Sequence, residues 1–202
     1  TSGRAGRTTE EGNGSCFGAE RSETCINVDP NCPAMPTPTT AEQDRQERWA
    51  EIRSSPVLRE LPYKVETNRR GQLILSPHSA LHSDRQGDLI ALLHEYTDGG
   101  RVRPEFPIVT AKGTKVADVV WCTAARRDEM EETGDPPTLA PEVCIEVMSE
   151  SNDWDEMDEK RALYREAGAK EVWVVTEEKS IRFFADEERD TSDVIPGVPN
   201  RL

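Results

Sequence analysis

Apolar runs of four to ten residues, separated by Gly, Pro and polar clusters, divide the chain into short elements. "TAEQ" at 40–43 carries a capping-box pattern, with Thr40 as N-cap and Gln43 at N3, and opens a short helix bearing Trp49 and Ile52. "YKVETNRRGQLILSP" reads as a hairpin, with strands over 63–67 and 72–76 and a polar turn holding Gly71. Ser79 then caps a helix on which His82, Gln86, Leu89, Ile90 and Leu93 share one stripe. The C-terminal half of that stripe is aliphatic and faces the core; its N-terminal half offers a His and a Gln instead. "RVRPEFPIVTAKGTKVADVVW" predicts a second hairpin with Gly113 in its turn. An acidic, Pro-bearing loop follows, with a short helix over 124–131. The strand "VCIEVM", the helix "DWDEMDEKRALYREAG" closed by Gly168 at its C′ position, and the strands "EVWVV" and "IRFF" complete the pattern. Antiparallel hairpins followed by one strand–helix–strand crossover predict an α/β sandwich with a mixed β-sheet flanked by helices.

Two positions violate this pattern. Asp118 interrupts "KVADVVW" and Glu146 interrupts "VCIEVMS", although strands disfavour acids and an apolar setting penalises a carboxylate by several kcal/mol. Each shares a strand face with the apolar residues two positions away. On adjacent strands the two carboxylates would come close together. Such a pair shares a proton, finds a basic partner, or holds a divalent cation. Oxygen ligands suit Mg²⁺, which keeps several waters when one or two carboxylates bind it. Met157, Lys160, Tyr164 and Ala167 form the sheet-facing stripe of the following helix, so Lys160 points towards the same region. A lysine there acts on an attacking water or on phosphate charge, unless its ammonium snorkels out to solvent. His82 and Gln86 complete a pocket at the polar end of the first stripe; His78 and His94 read as structural.

Composition narrows the partners. A chain of 202 residues accommodates one ordinary domain with tails. A formal net charge of −14 argues against general nucleic-acid coating, which rests on Lys and Arg. It leaves room for a nucleic-acid enzyme whose positive charge comes from a metal ion. No apolar run approaches the roughly 18 residues of a membrane span, and a cytoplasmic location is expected. Cys122 and Cys144 read as core thiols, whereas Cys16, Cys25 and Cys32 lie in a polar segment without a nearby His and read as unpaired thiols. Residues 1–34 read as a disordered tail, with Met35 as the expected translation start, and 35–60 as an N-terminal helix and linker. The domain proper spans 61–186, and 187–202 reads as a flexible C-terminal tail.

The pieces "LPYKVETNRRGQLILSP", "HSDRQGDL", "GTKVADVVW", "APEVCIEVMSESN" and "EKRALYREAGAKEVWVV" together resemble a bacterial family of putative restriction endonucleases within the PD-(D/E)XK nuclease superfamily. The resemblance implies a restriction-endonuclease-like fold. It matches Asp118 to the superfamily's first acid and Glu146 to its second. The lysine expected two residues after the second acid is replaced by Met148, and Lys160 stands in for it from the helix. His82 and Gln86 match a histidine and glutamine of the first helix. Two departures stand out. Ala117 precedes Asp118 in place of proline, and Glu150 occupies a position where the family usually has proline.

The expected function is therefore Mg²⁺-dependent (or Mn²⁺-dependent) endonucleolytic hydrolysis of DNA. Asp118, Glu146 and the Val147 carbonyl would hold the metal, Lys160 would be catalytic, and His82 and Gln86 would line the site. A homodimer would bring two such sites to one duplex. The rival expectation is a catalytically weak nuclease-fold module that binds protein or nucleic acid, and a third is an acid pair sharing a proton as a structural contact.

Overall fold

The computed structural model of the protein describes residues 37–77, 79–149 and 152–202, all within one unit, Met35–Leu202. The expected tail, Met35, the three N-terminal cysteines, His78 and Glu150 lie outside the described residues. The elements are helices α1 (Thr40–Ser54), α2 (Pro56–Arg59), α3 (Ala80–Tyr96), α4 (Ala124–Glu132) and α5 (Trp154–Glu166). The strands are β1 (Tyr63–Thr67), β2 (Leu73–Pro77), β3 (Arg101–Thr110), β4 (Gly113–Cys122), β5 (Val143–Val147), β6 (Glu171–Val175), β7 (Ile181–Phe184) and β8 (Glu188–Arg189).

A six-stranded sheet in the order β3-β4-β5-β6-β7-β8 forms the centre, and β1-β2 is a separate two-stranded hairpin. Among the described strands only the β5–β6 pairing is parallel, as the crossover through α5 requires. The fold is thus the expected mixed sheet flanked by helices. Val119, Trp121, Val143, Ile145, Trp173 and Phe183 pack with Leu89 and Leu93 of α3 in one core cluster. Val120, Cys144 and Val172 pack with Tyr164 of α5 in another. Among the described residues, no helix is long and apolar enough to cross a membrane.

Two expectations are corrected. The α1 cap lies one residue earlier, with Thr39 as N-cap and Glu42 at N3 completing the capping box. Glu42 outranks Gln43 there because its ionised side chain also favours the positive end of the helix. The segment 187–202 is not a loose tail. Ile195 and Val198 are 2% and 5% exposed and join the α3-side core. The cause is Glu171, buried at the start of β6, which accepts hydrogen bonds from Ser192 Oγ (2.6 Å), Asp193 N–H (2.6 Å) and Val194 N–H (3.1 Å). A buried carboxylate thereby satisfies backbone donors of a segment whose own composition looked frayed.

The β1-β2 hairpin docks on β4 by side chain rather than by strand pairing. Thr67 Oγ1 accepts from Thr114 N–H at 2.8 Å, and Glu66 Oε1 accepts from Val116 N–H at 2.9 Å. Gly113, with φ +115°, makes this approach possible: a Cβ there would stand 2.3 Å from the Thr67 carbonyl oxygen.

Candidate functional site

The β4–β5 register pairs Val119 with Ile145 and Val120 with Cys144, so its continuation sets Asp118 opposite Glu146. Both are essentially buried, at 1% and 2% exposure. They line a cavity of about 560 Å³ together with Lys64, His82, Val147 and Lys160. Asp118, Glu146 and Lys160 therefore converge, as the strand and helix periodicities imply. Lys160 does not snorkel; it is buried, with Nζ 3.1 Å from Glu146 Oε2, 3.5 Å from Glu66 Oε1 and 3.7 Å from Glu156 Oε1.

Asp118 is the more constrained acid. Its Oδ1 faces Lys64 Nζ at 2.5 Å and His82 Nε2 at 3.1 Å, and its Oδ2 accepts the Val147 N–H at 2.7 Å. Burial alone would raise its pKa. Lys64, then His82 and Lys160, outweigh burial and hold the carboxyl well below the usual aspartate range. Glu146 goes the other way. It accepts the Tyr164 hydroxyl at 2.6 Å and sits 3.7 Å from Lys64, yet burial dominates the two lysines and raises its pKa. Burial opposes both ammonium groups, but Glu146 leads a set of acids that raises Lys64 and Lys160 above the ordinary lysine value.

His82 Nε2 lies 3.1 Å from Asp118 Oδ1, an ion pair when the imidazole is protonated. The facing Asp118 oxygen raises the His82 pKa against the effect of burial. Gln86 is displaced from the expected role. Its amide does not line the cavity but donates to Glu105 Oε1 at 2.5 Å and to the Asp118 carbonyl at 3.3 Å. Val147 lines the cavity. His94 is exposed on α3, away from these contacts.

Sequence reasoning missed five residues around the cavity. Lys64 and Glu66 alternate on one face of β1 and look like a solvated pair until the hairpin docks on β4. Glu105 lies between Pro104 and Phe106 in a stretch that reads as ordinary strand. Tyr164 lies on the core stripe of α5, where periodicity says nothing of its hydroxyl. Arg85 also borders the cavity; it is buried and ties α3 to the chain after β5 and β6 by donating to the carbonyls of Met148 (3.0 Å) and Glu177 (2.7 Å).

The donor set suits a divalent cation. The Asp118 and Glu146 carboxylates and the His82 imidazole supply the donors, beside the positive charges of Lys64, Arg85 and Lys160 on the same cavity. His82, Glu105 and Asp118 each present one ligand atom, and these atoms all lie within 4.8 Å of one another.

Comparison with known proteins bears on the family and the fold. The family model described as "Uma2: Putative restriction endonuclease" matches residues 49–196. The fold is similar to the crystal structure of a putative nuclease belonging to DUF820 from Anabaena variabilis. The TM-score is 0.52 at 17% identity, over 62% of this chain and 74% of that chain. No curated protein matches the chain.

Proposed function

Because the chain belongs to the Uma2 family of putative restriction endonucleases, we propose that it hydrolyses phosphodiester bonds of DNA with a divalent cation, Mg²⁺ or Mn²⁺. The observation that carries the reading is the convergence of Asp118, Glu146 and Lys160 in one largely buried cavity. Asp118 and Glu146, with the Val147 carbonyl, would hold the ion. When bound, such an ion supplies an activated water and stabilises charge on the phosphate. Asp118 stays ionised and is aimed by the Val147 N–H. Tyr164 orients the Glu146 carboxyl through its hydroxyl. Lys160 would act on the water or the phosphate, with Lys64 as a second cation on the same wall. His82 lines the cavity beside Asp118 Oδ1. Cleaving both strands of a duplex would take a second copy of this cavity, supplied by a homodimer.

Purified protein with Mg²⁺ or Mn²⁺ is expected to nick supercoiled plasmid, and Asp118→Ala to abolish nicking while circular dichroism stays native. Equal nicking by wild type and D118A removes the assignment.

One observation favours a second reading. Lys64 Nζ lies 2.5 Å from Asp118 and 3.7 Å from Glu146, where its ammonium already occupies the space between the two acids. A nuclease-fold module of this kind would bind protein or nucleic acid without a metal. Calorimetric titration separates the two: heat of Mg²⁺ binding that disappears in D118A supports the enzyme, and its absence in wild type supports the module.

A further inference from the structure

We propose that a second copy of this chain docks on the open edge of β2, strand against strand across a two-fold axis, and that Arg69 and Arg70 of each copy thereby reach the mouth of the other's cavity. The interface rests on the nuclease reading above only for its purpose, which is to bring two cavities to one duplex. Every residue of β2 is exposed, with Leu73, Ile74 and Leu75 in succession. Among the described residues, the exposed large apolar side chains other than Tyr96 all lie between Val57 and Leu81, within this hairpin or flanking it in the sequence. A bare apolar edge is a template for another strand, and proteins guard the edges they leave unpaired. Both edges of the six-stranded sheet are guarded. β3 carries Pro104 and Pro107, which lack an N–H, together with Arg101, Arg103 and a left-handed Glu105 (φ +49°). β8 consists of Glu188 and Arg189 alone. β2 carries no charge, and no described strand covers its outer edge.

The hairpin ladder decides which backbone groups face outward. Asn68 N–H donates to the Gln72 carbonyl, and hydrogen-bonded pairs alternate from there, so Glu66–Ile74 and Lys64–Ser76 bond within the hairpin. Leu73 and Leu75 therefore turn their N–H and C=O groups away from β1. A two-fold centred on Ile74 sets Leu73 opposite the partner's Leu75. That register satisfies every one of those outward groups and stacks the leucines of both copies on one face. A two-fold centred on Leu75 instead opposes Leu73 to the partner's Pro77, which has no donor. The Ile74 register also carries the turn with Arg69 and Arg70 alongside the partner's Ser76, Pro77 and Ser79, all of which line the cavity. Both arginines are exposed, and their side chains enter no ion pair among the described residues. The same cavity is lined by the exposed acids Glu156 and Glu177, so the guanidinium groups of one copy meet opposite charge on the other.

Sedimentation of the full chain over a range of concentrations, without metal or DNA, tests the interface apart from hydrolysis. A reversible dimer is expected, and in the wild type the Leu73 and Leu75 amides are expected to exchange more slowly in the dimer than in the dilute monomer. Leu75→Lys is expected to raise the dissociation constant by about tenfold or more and to leave the melting temperature of the dilute monomer unchanged. Arg69→Glu combined with Arg70→Glu is expected to raise it by about threefold. Ile74→Cys sets two thiols in a non-hydrogen-bonded pair on the axis, within disulfide reach. Oxidation of I74C is expected to give a covalent dimer whose peptide map joins position 74 to itself. Leu75→Cys lies two residues out of step with its own copy and is expected not to link. A monomer at every concentration, a dimer whose Leu73 and Leu75 amides stay unprotected, an unchanged constant in L75K or in the double arginine variant, or linkage at 75 and not at 74 overturns the proposal. The wild-type exchange measurement decides even where a variant fails to fold. A dimer of this form that never nicks DNA would remove the nuclease reading and leave the interface; a monomer that nicks with Mg²⁺ would do the reverse.

Discussion

Burial and charge pull Asp118 and Glu146 in opposite directions, and their environments explain why. Asp118 has an ammonium at 2.5 Å and a backbone donor at 2.7 Å, which favour the ionised form. Glu146 receives one neutral hydroxyl and lysines at 3.1 and 3.7 Å, too little to offset its desolvation. A carboxyl whose folded pKa exceeds its unfolded value contributes stability below the unfolded pKa and loses it as pH rises through the folded pKa. At neutral pH, ionised Glu146 therefore costs stability. Glu146→Gln keeps an acceptor for Tyr164 and removes the charge. In chelator at pH 7 it is expected to melt at or above the wild-type temperature, with the difference shrinking as pH falls below the folded pKa. A clear drop in melting temperature at pH 7 would contradict this account. At this scale the sequence was informative. Asp118 and Glu146 were legible because each interrupts an apolar run, and Lys160 because it lies on a core stripe. Lys64 and Glu66 were not, because an alternating charged face on a short strand looks the same whether it meets water or another strand.

At the scale of elements, the β1-β2 hairpin is the piece whose position decides the site, since it delivers both Lys64 and Glu66. It pairs with no strand of the main sheet among the described residues and docks through two side-chain acceptors on β4. Gly113 permits that approach. Gly113→Ala combines a positive φ with a Cβ 2.3 Å from the Thr67 oxygen, so the hairpin must move. The expected loss is about 1–3 kcal/mol or more in urea unfolding. Proton exchange should quicken at the Thr114 and Val116 amides, and unchanged exchange there would show that the hairpin is held by other means. The periodicity of 63–77 made the hairpin itself legible, but nothing in that stretch specified which surface it would cover.

For the whole molecule, the C-terminal segment acts as a clasp on the α3-side core. Removing residues 187–202 uncovers the surface buried by Ile195 and Val198 and leaves Glu171 a buried carboxylate without most of its donors. Burial of two such aliphatic side chains is worth about 3–6 kcal/mol. A truncation after Asp186 is expected to lower the thermal midpoint sharply and to bind a hydrophobic dye; a native-like melt would show that the segment contributes little. The net charge of −14 also acts at this scale. It opposes DNA approach, so retention of DNA in a gel-shift assay is expected to be weak in chelator and strengthened by Mg²⁺ or Mn²⁺. Retention that ignores the metal would point to a local cationic surface instead.

Patterning along the chain specified most of the elements in their order, the parallel crossover, and that Asp118, Glu146 and Lys160 would face inward. Those follow from period-2 and period-3.6 patterns, which depend on local backbone geometry. The tertiary structure alone decided that Lys64 stands between the acids, that Glu105 and His82 meet Asp118, and that 187–202 is fastened to β6. These contacts join residues distant in sequence through charge and hydrogen bonding. Such pairings leave no periodic trace in the chain, because a buried ion pair is specified by the fit of two surfaces and not by the spacing of residues along either one.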